Sequence, residues 1–159
     1  MRITGIKVDK QACPITGGEA NIDAKTPPGA LSEFYCAFNK RDLALMEQNW
    51  LPSPDISMDS PLGQCRRGWP EIREVFQRIF ASAPSLRVEF YDYVINEFGA
   101  VFLAVGRERK TLQSAHSTLE VRMRTSRLYA FQEGRWWQFH HHASIDDPGV
   151  LKLYRAAIL

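Results

Sequence analysis

The sequence lacks most of the features that assign a protein early. It has no block of lysine or arginine, and its formal net charge is only +2 over 159 residues, which argues against nucleic acid as a partner. Its three cysteines, Cys13, Cys36 and Cys65, are far apart and odd in number. With no Cys-x-x-Cys spacing they argue against a disulfide scaffold or a cysteine metal site, and reduced thiols fit a cytoplasmic compartment. No apolar run is long enough to span a membrane. Asp9, Lys10 and Glu19 interrupt the start of the chain, so it does not read as a secretory signal. There is no internal repeat or low-complexity tract, and no cofactor is expected. What remains is a chain of single-domain size with an ordinary apolar fraction of 45%.

Residues 1–28 read as an extended arm. Met1–Val8 alternates weakly, as a short strand would, and Pro14, Gly17, Gly18, Pro27 and Pro28 mark loop. Residues 29–159 form the domain proper. Leu31, Phe34, Tyr35 and Phe38 make one helical stripe, and Thr26 before two prolines suits the helix start. A second short helix runs from Asp42, a plausible N-cap, to Trp50. Ile56–Met58 is a short strand and Pro61–Gly63 a turn. A third helix has Pro70 in its first turn and a buried stripe of Ile72, Val75, Phe76, Ile79 and Phe80. Ala83-Pro84-Ser85 ends that half. Segments 86–96, 101–112, 117–131 and 135–145 have strand composition, and the tail after Asp146 is a short helix. Three helices followed by a meander of long strands give an α+β fold, with the helices covering one face of a curved antiparallel sheet.

The run Arg135-Trp-Trp-Gln-Phe-His-His-His-Ala-Ser144 is the most unusual segment. Neighbouring strand residues point to opposite faces. Trp136, Gln138, His140, His142 and Ser144 then share one face, and Trp137, Phe139, His141 and Ala143 the other. The same alternation places Asp92 among Leu86, Val88, Phe90 and Val94. It places Arg107 and Arg109 with Val101, Leu103 and Val105, and Arg127 with Val121, Met123 and Tyr129. If these apolar faces all meet the helices, Asp92, Arg107, Arg127 and His141 converge on an apolar interior. A buried guanidinium must be paired or solvated. The alternatives are an internal Asp92–Arg127 salt bridge, or Arg107 emerging to solvent at a strand end, or a pocket with a positive floor for a small carboxylate or other anion.

Several segments are similar to a known family. They are Glu33-Phe-Tyr-Cys-Ala-Phe-Asn-Lys-Arg-Asp-Leu43, Met58-Asp-Ser-Pro-Leu-Gly63 leading to Gly68 and Ile72, Arg127-Leu-Tyr129, and Gly134-x-Trp136-x-x-x-His140-x-His142-x-Ser144. Their order resembles the SnoaL-like, nuclear transport factor 2-like superfamily, including the association domain of calcium/calmodulin-dependent kinase II, over residues 29–146. The resemblance implies a conical α+β barrel, three helices over a strongly curved sheet with a cavity between. It also implies a homodimer through the outer sheet face, here carrying Trp136, His140 and His142. Relatives include isomerases, dehydratases, polyketide-type cyclases and association modules, so the fold alone does not give the activity. The ketosteroid-isomerase pattern is not met: Phe34 stands at the oxyanion tyrosine position, Ser60 at the catalytic aspartate, and no second acid lies near Ser126. Of the two cavity arginines of the kinase association domain, Arg127 is kept and Ala143 replaces the other.

Two functions compete at this point. In an enzyme for a small organic substrate, of isomerase, cyclase, dehydratase or hydrolase type, His141 is the acid or base, Asp92 orients it, and Arg127 holds an anionic oxygen. Arg107, Tyr35, Trp50, Met58, Trp69 and Trp137 are the other candidate ligand contacts. Trp50 and Met58 either line the cavity mouth or fill core, and Trp69 either does so or staples a helix start. In a non-catalytic dimeric binding module, Trp136, Trp137 and the arm at residues 1–28 instead meet another chain. A third arrangement, His140 and His142 with His116 or a carboxylate around a metal, has only two ligands on one face.

Overall fold

The computed structural model describes residues 7–10, 13–82 and 85–159. The first six residues of the expected N-terminal strand, and residues 83 and 84 of the expected Ala-Pro-Ser connection, lie outside them. Helix α1 (Pro27–Lys40) starts at Thr26, whose hydroxyl accepts from the Gly29 amide at 3.2 Å. Prolines in the first turn cost nothing there, since those amides have no helical partner. Helix α2 (Leu43–Asn49) is capped by Asp42, which accepts from the Leu45 amide. Helix α3 spans Gly68–Ser82 and α4 Pro148–Ile158. The expected α3 stripe is buried in full.

Among the described residues seven strands form one sheet: β1 (Lys7–Lys10), β2 (Ser57–Asp59), β3 (Cys65–Arg67), β4 (Ser85–Phe98), β5 (Val101–Gln113), β6 (Thr118–Gln132) and β7 (Arg135–Ser144). Their order is β1-β4-β5-β6-β7-β2-β3, so β1 and β3 are the edges among these strands. All pairings are antiparallel except β2 with β7. The sheet curves around α1, whose residues from Gly29 to Phe38 are all buried. Leu31, Phe34, Phe38, Phe76 and Phe90 fill the space between helices and sheet. Burying each such side chain contributes about 1.5–3 kcal/mol.

Described residues ahead of α1 lie against this core. β1 extends the edge beside β4, and Ile15 exchanges two backbone hydrogen bonds with Phe90. Glu19 accepts from the Thr16 and Gly17 amides and from the Ser32 hydroxyl. Gly17 has φ +77°, and a Cβ there would lie 2.1 Å from the Cys36 amide nitrogen. Only glycine permits that approach.

Two irregularities reverse the faces expected from simple alternation. The β4–β5 register shifts between Tyr91 and Val94, and Asp92 takes φ 47°. Beyond this bulge Tyr93 and Ile95 face inward and Asp92 faces out, with its side chain 67% exposed. A second shift in the β6–β7 pair leaves Phe139 unmatched. Before it Trp136 and Gln138 point inward, rather than Trp137 and Phe139; after it His141 and Ala143 do, as expected. A bulge adds one residue to one strand, so every later side chain changes face.

Strand β5 is a plain reversal. Its inner face carries Phe102, Ala104, Glu108, Lys110 and Leu112, and not Val101, Leu103, Val105, Arg107 and Arg109. Both parities of its first half are apolar, so composition could not choose between them. The register decides: Ala104 pairs with Arg127, Glu108 with Met123 and Lys110 with Val121, and paired residues share a face. Gly106 follows the same parity, and a Cβ there would meet Tyr93 Cβ at 2.4 Å.

Candidate functional site

The inner face of β5, β6 and β7 brings four ionisable side chains together under α1. Arg127 is fully buried, and three of its nitrogens are engaged. Nη2 donates to Glu108 Oε1 at 2.6 Å, Nη1 to Gln138 Oε1 at 2.7 Å and Nε to the Tyr35 hydroxyl at 3.2 Å. Tyr35 donates in turn to Glu108 Oε1 at 2.8 Å. The guanidinium lies 3.6 Å above the Phe34 ring centroid, a cation–π placement. Lys110 Nζ sits 3.7 Å from Glu108 Oε2 and faces the rings of Phe38 and Tyr154. One carboxylate therefore serves two cations, leaving a net positive interior.

The titration behaviour follows from burial and charge. Burial opposes ionisation of Glu108, but Lys110, Arg127 and the hydrogen bonds from Arg127 and Tyr35 outweigh it, and its pKa is lowered. Burial raises the Tyr35 pKa well above its ordinary value. His141, 5% exposed, is driven well below the usual histidine value, first by desolvation and then by the Arg127 and Lys110 cations. It is neutral at physiological pH.

Neither ring nitrogen of His141 has a hydrogen-bond partner among the described residues, and the same holds for Thr125 Oγ1 and Gln138 Nε2. All three residues point inward from β6 and β7. Buried polar atoms are normally paired. The space beside His141 is small. The hollow lined by His141, Lys110, Arg127, Met58, Phe76 and Tyr154 leaves about 20 Å³ for a water-sized occupant, room for one water molecule. Tyr154 of α4 and the Pro61–Leu62 turn close it, with Arg155 Nε donating to the Pro61 carbonyl at 2.8 Å.

The sequence-predicted residues divide sharply. His141, Arg127, Tyr35 and Met58 meet in or beside the hollow. Asp92 and Arg107 do not: they form a 3.6 Å ion pair on the outer face, 67% and 58% exposed, because of the β4 bulge and the β5 parity. Asp92 therefore does not orient His141 or pair with Arg127. Trp50, Trp69 and Trp137 lie away from the hollow, around a surface groove. Trp136, expected on the outer face, is 5% exposed and packs edge-on against Phe102 inside. His140 and His142 do face outward; His140 Nδ1 lies 2.8 Å from Ser57 Oγ, and His142 is 3.8 Å from Asp59. Among the described residues no group of three His, Cys, Asp or Glu is arranged to hold a metal ion.

Glu108 and Lys110 were missed. Alternation grouped Arg107 and Arg109 with the apolar Val101, Leu103 and Val105 and so left Glu108 and Lys110 on the other face, although that face also carries Phe102, Ala104 and Leu112. A second interior network also escaped notice: Tyr129 donates to Asn49, Asn49 to Glu33, and Arg135 pairs with Glu33 at 2.6 Å.

Comparison with known proteins agrees with this architecture. Residues 29–148 match the SnoaL-like domain family, and the chain belongs to that family. A candidate dehydratase of the nuclear transport factor 2-like family from Streptomyces avermitilis superposes with a TM-score of 0.67 at 18% identity, covering 73% of this chain and 90% of that one. A candidate calcium/calmodulin-dependent protein kinase type II association domain from Thiobacillus denitrificans gives 0.65 at 20% identity, covering 77% and 96%. An uncharacterised protein with a cystatin-like fold from Caulobacter vibrioides gives 0.63 at 17% identity, covering 78% and 89%. These likenesses establish the cone-shaped α+β fold. No curated protein matches the chain. Among the described residues no helix is long and apolar enough to cross a membrane.

Proposed function

We propose that this domain, with residues 1–28 as its arm, takes a compact, singly charged anion or a small polar molecule into the hollow beside His141. The observation that supports the reading is the imidazole itself: both nitrogens are buried and have no partner among the described residues, next to two cations that share one carboxylate. A bound oxyanion accepts from Lys110 and Arg127. The charge of a bound anion offsets the two cations that depress the His141 pKa, which raises the basicity of the neutral imidazole toward that of a general base, the chemistry that isomerase, cyclase and dehydratase reactions of small organic acids need. Arg127 is pre-positioned by Glu108, Gln138 and Tyr35, so it meets developing charge without reorganising. Since the closed hollow fits only a water, admission of anything larger requires Tyr154 and α4 to move aside. Soaking crystals or titrating protein with formate and acetate tests this. Saturable binding that raises Tm, and is lost in Lys110→Met, supports it; no saturable response with either anion overturns it.

A second reading is a non-catalytic module that pairs through the outer sheet face in a reducing, cytoplasmic setting. Val105, 40% exposed, with partly exposed Leu103, Val94 and Leu128, supports it. The pairing face now includes His140 and His142 but loses Trp136 to the core. Light scattering that finds only monomer at micromolar concentration removes this reading.

A further inference from the structure

The closed hollow has room for one small, round occupant. Its free space of about 20 Å³ admits a single water. A formate or acetate ion does not fit until Tyr154 moves. A chloride ion is spherical and only slightly wider than a water molecule, so it fits with the walls where they are.

The lining favours the ion over the water. A buried water needs acceptors for its own protons as well as donors. Acceptor side chains are scarce here. Glu108 Oε1 already takes Arg127 and Tyr35, and Oε2 faces Lys110 at 3.7 Å. The Ser60 hydroxyl accepts from the Leu62 amide at 3.3 Å. Donors and positive charge are plentiful. Lys110 Nζ is too far from Oε2 for a hydrogen bond. Neutral His141 carries one N–H, and neither of its ring nitrogens has a partner among the described residues. Lys110 and Arg127 share the one Glu108 carboxylate, which leaves a buried positive charge to be balanced. The faces of Phe34, Phe38 and Tyr154 already serve these cations. A monatomic anion supplies the missing charge and asks for no acceptor.

We infer that the closed hollow holds one halide ion, chloride, between Lys110 Nζ and the His141 N–H. This rests on the reading of the hollow as an anion site, and adds that any organic anion must first displace the ion. The test melts the full chain in sodium chloride and in sodium gluconate of equal ionic strength, gluconate being too large for the hollow. Tm rises in chloride along a saturating curve, by roughly 3–6 °C at ten times the Kd, and Lys110→Met abolishes the rise. The apparent Kd for acetate rises in proportion to chloride. Chloride-free crystals of the parent soaked in sodium bromide show an anomalous peak in the hollow beside Lys110 and His141, a result that needs no variant to fold. Equal Tm in the two salts, a rise that Lys110→Met retains, or bromide only on the outer surface, an adventitious ion only, overturns the inference. If formate and acetate bind while chloride neither competes nor raises Tm, the halide falls and the carboxylate reading stands. If chloride binds and neither carboxylate does, the halide stands and the carboxylate reading falls.

Discussion

Replacing His141 by phenylalanine is expected to flatten the acid sensitivity of this fold. An unfolded histidine takes up a proton near pH 6.5, whereas His141 in the native chain is held far lower by burial and by Arg127 and Lys110. Below pH 6.5 the unfolded state binds the extra proton, so stability falls as pH falls. The slope approaches about 1.36 kcal/mol per pH unit, about 2 kcal/mol between pH 7 and pH 5. Glu108, whose pKa is also lowered, adds its loss only below the ordinary carboxylate range, so the window from pH 6.5 to pH 5 isolates the imidazoles. His140 is lowered as well, by burial, but it is present in both proteins and cancels in the difference. Phenylalanine has a similar shape, extends the edge contact with Phe34 at 6.1 Å, and removes two unpartnered polar atoms. At pH 7 the variant is therefore at least as stable as the parent. Urea unfolding at pH 7, 6 and 5, with an unchanged m-value, measures this. Parallel pH profiles for the two proteins would refute the claim that His141 is buried and neutral.

The remaining predictions concern the network, the arm and the outer face. Arg127→Met removes the closer of the two cations from the buried Glu108 carboxylate, leaving it Lys110 at 3.7 Å and the Tyr35 hydroxyl, and costs about 3–5 kcal/mol in urea unfolding; a small loss contradicts the network. Gly17→Ala forces a Cβ against the Cys36 backbone and lowers Tm by roughly 4–8 °C for a loss of about 2 kcal/mol. An unchanged Tm means that the residues ahead of α1 do not lie as described. Asp92→Asn, which keeps a side chain tolerant of the left-handed backbone at φ 47°, removes an exposed ion pair and changes stability by at most about 0.5 kcal/mol, with no effect on acetate binding. If it instead matches the loss caused by Lys110→Met, Asp92 belongs to the site after all.

Helices were the most legible elements. Thr26 and Asp42 cap as their residue types demand, and the Ile72–Phe80 stripe faces the core, because a helix writes its inner face into local spacing. The four long strands were legible as segments for the same reason. Their faces were not always so. Arg127 faces inward as expected on a stretch of regular alternation; His141 does so too, but only because the bulge at Phe139 separates it from Trp137, with which simple alternation grouped it. Asp92, Trp136 and Trp137 were misplaced by one-residue bulges that leave no clear trace in composition. Glu108 and Lys110 were hidden because Val101, Leu103 and Val105 are as apolar as Phe102, Ala104 and Leu112.

The sequence by itself determined the element order, the caps, the helical core and the presence of inward charge, since each depends on residues within a few positions of one another. Only the tertiary structure decided which charges meet. Pairing β5 against β6 chose its buried face, two bulges sent Asp92 and Trp137 outward and Trp136 inward, and α4 reduced the hollow to the size of a water. Those outcomes depend on register between segments distant in sequence, where a shift of one residue exchanges interior for solvent.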